Sequence, residues 1–148
     1  MPSRLEDYAL IGDCETAALV GKDGSIDWLC LPRFDSGACF AALLGGPEHG
    51  RWLITPAEPA VRVARRYLDG SLILATMFQT AEGAVELVDF MRPRRRLPQL
   101  VRLVRGLRGR VAMCSWLAPD SGLYSKCHAY VRCPPACGSR PPPAAAPG

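Results

Sequence analysis

The chain has 148 residues, 49% of them hydrophobic and 22% charged, which suits about one domain with a buried core and excludes a wholly disordered chain. No apolar run is long enough to span a bilayer, and the N-terminus MPSRLEDYAL lacks the charged head, apolar stretch and cleavage site of a secretory signal. The net charge of +4 is not a uniform basic field, because residues 1–113 carry 15 Lys and Arg against 13 Asp and Glu. The expectation is a cytoplasmic protein with no membrane partner, in which Cys14, Cys30 and Cys39 are buried thiols rather than disulfide partners.

In chain order, AALVGKDGSIDWLC sets Asp23-Gly24 between two alternating apolar runs, a hairpin signal because Gly accepts the positive φ of such turns. FAALLGG (Phe40–Gly46) predicts one or two helical turns closed by glycine. RWLITP predicts a short strand ended by Pro56. Asp69-Gly70, between VRVARRYL and SLILATMFQT, is a second hairpin signal. AVELVDFM then follows the turn AEG, with Val85, Leu87 and Asp89 on one face. LVRLVRGLRGRVAM fits helical and strand spacing nearly equally; Gly106, Gly109 and the neighbouring hairpins decide for a strand. The sum is an all-β chain with the turn spacing of an antiparallel β-sandwich or barrel.

Composition changes at Cys114. The last 35 residues hold four of the seven Cys, seven of the fourteen Pro and one acid, Asp120. Pro fixes φ and has no N–H, so PPPAAAPG forms neither a ladder nor a helix interior. Residues 114–148 are therefore expected to be a disordered tail, and 1–113 the domain.

Several consecutive segments carry a family resemblance. YALIGDCETAALVGKDGSIDWLCLPRFDSGACFAALLG, then PEHGRWLI, RRYLDGSLILATMFQTAEGAVELVDFM and LVRLVRGLRGRVAM, resemble in order the opening of bacterial glycoside hydrolase family 15 proteins, the glucoamylase and trehalase-like group. The likeness covers roughly residues 4 to 113. It implies an N-terminal β-sandwich, here incomplete, that precedes a larger (α/α)6 barrel. It also implies a parent activity of inverting hydrolysis of α-glucosides such as maltooligosaccharides or trehalose, by one carboxyl that protonates the leaving oxygen and one that activates water. In that family both are Glu residues of the barrel, which no segment here can hold. No catalytic residue and no cofactor is therefore expected in this chain, and the implied partners are the barrel and α-glucosides. After GRVAM the family pattern continues with a strand of the type Met-Glu-Leu and then Arg-Phe-Asp-Tyr-Gly, whereas this chain reads CSWLAPDSGL.

The stretch KDGSIDWLCLPRFDS holds the candidate contact residues. Asp27 and Asp35 do not form an acid/base couple on this reading, because the barrel supplies that pair. LPRFDS instead reads as a loop leaving the sandwich. Arg33 and Asp35 either hydrogen-bond sugar hydroxyls or partner-domain groups, or pair with each other to fix the loop. Phe34 and Trp28 offer apolar surfaces to a sugar ring, with core packing the default for Trp28. Cys30 has no positive neighbour to activate it, and His49 beside Glu48 reads as a loop residue. The tail's Cys127, His128, Cys133 and Cys137 lack paired zinc-knuckle spacing, so no metal is expected.

Between Arg92 and Arg110 lie eight Arg and no acid, a phosphate-contact composition. No aromatic residue interleaves to stack bases, and period-2 alternation puts several Arg on one solvated face. A solvated or interdomain face is expected rather than nucleic-acid binding. Carbohydrate or protein binding by a stand-alone module is the alternative function. With 16 Arg against 2 Lys, the coding sequence reads as GC-rich, and out-of-frame GC-rich DNA yields Pro, Ala, Arg, Gly and Cys. Residues 114–148 then follow from a frameshift, and reading the gene past codon 113 in its other two frames is expected to restore the family strand. Failure of both frames to do so overturns the frameshift.

Overall fold

The turn signals resolve into strands of two antiparallel sheets. The structure, a computed structural model, describes residues 4–118. The first sheet contains β1 (Tyr8–Gly12), β2 (Ala17–Gly21), β3 (Ser25–Cys30), β4 (Ala38–Phe40), β5 (Arg51–Pro56) and β10 (Met113–Ala118). Its order is β1-β2-β3-β5-β10, with β4 paired to β3. The second sheet is β6 (Arg62–Tyr67), β7 (Leu74–Gln79), β8 (Gly83–Met91) and β9 (Leu100–Gly109), in that order. FAALLGG yields one short 3-10 turn, Ala42–Leu44, and Pro47–His49 forms another. No helix among the described residues is long and apolar enough to cross a membrane.

Alternation places one row of side chains from each sheet in a shared core. Ile11, Val20, Ile26 and Trp52 of the first sheet form one cluster with Leu74, Phe78, Val85 and Leu87 of the second. At about 25 cal/mol per Å² of apolar surface, this burial is the main favourable term for the fold. A β-bulge modifies the pattern in β3. Leu19 faces Trp28 while the adjacent Val20 faces Ile26, so Asp27 is an extra residue. Ile26 and Leu29 therefore both point inward and Trp28 turns to the outer face, half-buried. The default core placement of Trp28 is corrected on this ground, and the core tryptophan is Trp52.

Charged and polar groups lock the two sheets together. Arg102 on β9 is 3% exposed and Asp89 on β8 is 0% exposed. The Arg102 guanidinium donates to Asp89 Oδ1 at 2.7 Å, to the Trp52 carbonyl at 2.6 Å and to the Gly24 carbonyl at 2.6 Å. Its carbon lies 5.2 Å from the centre of the Trp52 ring, a cation–π distance. One side chain of the second sheet thus holds the β2–β3 turn and β5 of the first. Gly24 suits this junction because its φ is +86° and a Cβ there would stand 2.1 Å from the Ile54 carbonyl oxygen. On the opposite side, the Tyr67 hydroxyl of β6 donates to the Leu10 carbonyl at 2.9 Å and accepts from the Leu10 N–H at 3.0 Å. Tyr67 so satisfies part of the open edge of β1, and Arg65 reaches the Val20 carbonyl at 3.2 Å.

The solvated-face expectation for the Arg run is thereby corrected at two positions. Arg102 is buried and Arg94 half-buried, each in an ion pair with a buried carboxylate, Asp89 on the neighbouring strand and Asp13 in the β1–β2 turn. The compositional break at residue 113 falls at the start of β10, whose Trp116 and Leu117 face Leu53 and Trp52. Residues 119–148, with the candidate zinc set, lie outside the described residues. Burial pushes the Asp89 carboxyl up from its ordinary value, and Arg102 pulls against that shift. Removing one partner of such a pair leaves an uncompensated buried charge. Arg102→Met is expected to lower stability by about 3–5 kcal/mol in urea unfolding, and an unchanged midpoint contradicts the clamp.

Candidate functional site

Three connections meet at one end of the sandwich: β1 to β2, β3 to β4, and β8 to β9. GDCET makes the first of them. Asp13 Oδ1 accepts the backbone N–H groups of Glu15 at 3.0 Å and Thr16 at 2.9 Å, an Asx-type turn. The Thr16 hydroxyl donates to the Cys30 carbonyl at 2.6 Å, which ties this turn to the end of β3. The following loop is tied back in turn, because the Phe34 N–H donates to the Glu15 carbonyl at 3.1 Å. From the β8–β9 connection, Arg94 places Nε and Nη2 each 2.9 Å from Asp13 Oδ2, and Nη1 3.2 Å from Glu15. Burial alone would raise the Asp13 pKa. The N–H groups of Thr16 and Glu15 and the Arg94 guanidinium outweigh it and hold the carboxyl below its ordinary value.

On this braced base stand three of the four sequence-predicted contact residues. Arg33 Nε donates to Asp35 Oδ1 at 3.0 Å, and both side chains are exposed. That hydrogen bond holds the Asp35 carboxyl below its ordinary value. The Ser36 hydroxyl accepts from the Arg33 N–H at 3.1 Å, so the loop is closed on itself. Phe34 projects outward with 62% of its surface exposed. Trp28 is not part of this group; it lies on the outer face of the first sheet beside Leu19, which in turn faces Leu10. Sequence reasoning missed Asp13, Glu15 and Arg94. The D-x-E-T spacing was a usable turn signal, but nothing local pairs it with an arginine 81 residues away. Cys14, expected to be buried, is exposed, because the tight turn sets it at φ 73° and aims it outward. Cys30 and Cys39 are buried as expected, and burial pushes the Cys30 thiol up.

The four buried carboxylates among the described residues are Asp13, Asp27, Glu86 and Asp89. Each is engaged. Asp27 accepts from the Tyr8 hydroxyl at 2.7 Å and from the Ser25 hydroxyl, with Arg51 Nε 3.9 Å away. Glu86 pairs with Arg105 and with Arg66 at 3.6 Å, on the wall of an apolar groove formed by Leu68, Ala75, Val88 and Leu103. Asp27 is in β3 and Asp35 in the exposed loop, so the two carboxyls have different surroundings. Among the described residues no group of three or more His, Cys, Asp or Glu is placed to hold a metal ion.

The described residues thus form an antiparallel two-sheet domain with a braced loop end. The family described as "Trehalase-like, N-terminal" matches residues 1–128, and the chain belongs to it. A trehalase of Mycolicibacterium smegmatis is 48% identical over 80 residues, which cover 53% of this chain and 12% of that protein. Trehalase 2 of Sulfolobus acidocaldarius is 40% identical over 97 residues, 66% of this chain and 16% of that protein. A trehalase of Thermoplasma volcanium is 34% identical over 90 residues. The matched segments thus span 12–16% of the length of these relatives. No solved structure matches.

Because the folded-state pKa of Asp13 is lowered, its contribution to stability is present above the unfolded value of about 3.9 and is lost as pH falls through the folded one. Asp13→Asn is therefore expected to destabilise by about 1–3 kcal/mol at neutral pH. In denaturant unfolding across pH, the gap from the wild type should close on acidification. A gap that stays constant down to pH 3 contradicts the Arg94 brace.

Proposed function

We propose that this domain is the non-catalytic N-terminal module of a family 15 glycoside hydrolase that acts on α-glucosides, with trehalose the favoured substrate of the whole enzyme. The observation that carries this is the family match, together with the full engagement of the four buried carboxylates by hydrogen bonds or ion pairs. Hydrolysis needs one carboxyl with its proton available and another facing water. Asp13, Asp27, Glu86 and Asp89 are each held by arginines or hydroxyls. The acid and base then belong to the (α/α)6 barrel. The trehalase names of the relatives favour trehalose over maltooligosaccharides, the glucoamylase alternative. A cytoplasmic location goes with this reading.

Within the module, Arg33, Phe34 and Asp35 are the contact residues toward sugar or barrel, and Trp28 gives a second apolar surface on the outer face. The exposed Phe34 between two charged side chains also fits a free carbohydrate-binding module, which calorimetry with trehalose and maltooligosaccharides would detect. The test of the main reading uses two proteins. The purified 148-residue chain is expected to release no glucose from trehalose or maltose. A chimera in which its residues 1–118 replace the corresponding N-terminal region of the Mycolicibacterium smegmatis trehalase is expected to hydrolyse trehalose. Glucose release by the chain alone overturns the non-catalytic assignment, and an inactive chimera overturns the modular one.

A further inference from the structure

We infer that the open edge of β10 joins two copies of this chain into a twofold dimer, the strand pairing antiparallel with itself about Ser115. That edge takes no part in the functional reading above.

Among the described residues, every other sheet edge is guarded. A free edge displays N–H and C=O groups that recruit another strand unless it is short, charged or covered. β4 has only three residues. On β1 the N–H and C=O of Leu10 are both taken by the Tyr67 hydroxyl. β6 carries Arg62, Arg65 and Arg66, and β9 exposes Arg105 and Arg108, so a second copy would bring like charges together there. β10 reads MCSWLA, with no charge, proline or glycine. It lies last in the first sheet, with β5 its one strand partner among the described residues. Trp116 is 49% exposed and Leu117 37% exposed, one on each face of the strand.

The register of a self-pair follows from the ladder already present. The Ala57 N–H donates to the Ala112 carbonyl at 2.8 Å, one step before β10 in the same antiparallel register. Hydrogen-bonded and non-bonded pairs alternate from there. Cys114, Trp116 and Ala118 therefore turn their backbone groups toward β5. Met113, Ser115 and Leu117 turn theirs to the open edge, which agrees with Pro56, a residue without an N–H, standing opposite Met113. A twofold axis through Ser115, perpendicular to the sheet, pairs Met113 with Leu117 of the second copy and Ser115 with its own equivalent. Each such pair exchanges two hydrogen bonds, so every open backbone group of these three residues is used. Moving the axis by one residue forfeits a pair within the strand. The same axis keeps the faces matched. Leu117 then meets Met113 on the inner side, and Trp116 meets Cys114 on the outer.

Sedimentation of the 148-residue chain over a range of concentration tests this. The mass is expected to rise with concentration from one chain toward two. Ser115→Pro removes an N–H that β5 does not use, and should return the protein to a monomer with β10 still in its sheet. Leu117→Lys should do the same by placing like charges on the paired edge, whereas Leu97→Ser, exposed on another connection, should leave the dimer intact. In amide exchange, Met113, Ser115 and Leu117 should gain protection as concentration rises, and Cys114 and Trp116 should not. A chain that stays monomeric at every concentration, whether its edge is bare or covered by residues 119–148, overturns the inference. A dimer that survives both Ser115→Pro and Leu117→Lys overturns its placement at β10, and protection gained at Cys114 and Trp116 instead overturns the register.

Discussion

A buried guanidinium ties an edge strand of the second sheet to the first. Arg102 reaches out of β9, passes the face of Trp52, and divides its donors among Asp89 and the carbonyls of Trp52 and Gly24. An apolar core sets how closely two sheets pack but constrains weakly how they slide. Donors in a rigid fork fix that sliding, because each must find one acceptor at one angle. The raised pKa of Asp89 indicates that burial of the carboxylate carries a cost. The pair therefore contributes a unique alignment more than it contributes net stability. Lysine would not reproduce it, since a point charge lacks the planar fork.

The same chemistry recurs at the loop end with a different result. Arg94 also reads a carboxylate and bridges a second one, but it joins loops instead of sheets. Asp13 is already committed through its other oxygen to two backbone N–H groups, so its position is set before Arg94 arrives. The exposed Arg33–Asp35 pair contributes little to stability in water and mainly shapes the loop that carries Phe34. Buried contacts thus hold the base at Asp13, and exposed ones hold the tip. The fold offers a firm platform with a small apolar projection.

Much of the fold was legible in the sequence. Asp23-Gly24 and Asp69-Gly70 marked hairpins because few residues besides glycine accept the backbone they need, and Gly24 and Gly70 both take positive φ. RWLITP and AVELVDFM appeared as strands for the same local reasons. Trp28 was misplaced because a bulge at Asp27 resets the alternation, and nothing in IDWLC announces an extra residue. The buried arginines were harder. Arg102 lies between Leu100 and Val104 on an alternating strand, which placed it inward, but its charge argued for solvent until Asp89 was known to sit on the neighbouring strand. Of the site, the Arg33–Phe34–Asp35 tip was legible, and its base was not, because Asp13 and Arg94 meet only through tertiary structure.

The Arg102 clamp also joins residues far apart in the order of synthesis. Its acceptors lie 50 and 78 residues earlier in the chain, at Trp52 and Gly24. A ribosome releases the chain from its N-terminus, so the first sheet's hairpins emerge long before the residue that pins them to the second. Until Arg102 clears the exit tunnel, the β2–β3 turn and β5 lack this clamp. Contacts so distant in sequence close late and slowly. The clamp is therefore among the last contacts of the domain to form as the chain is made.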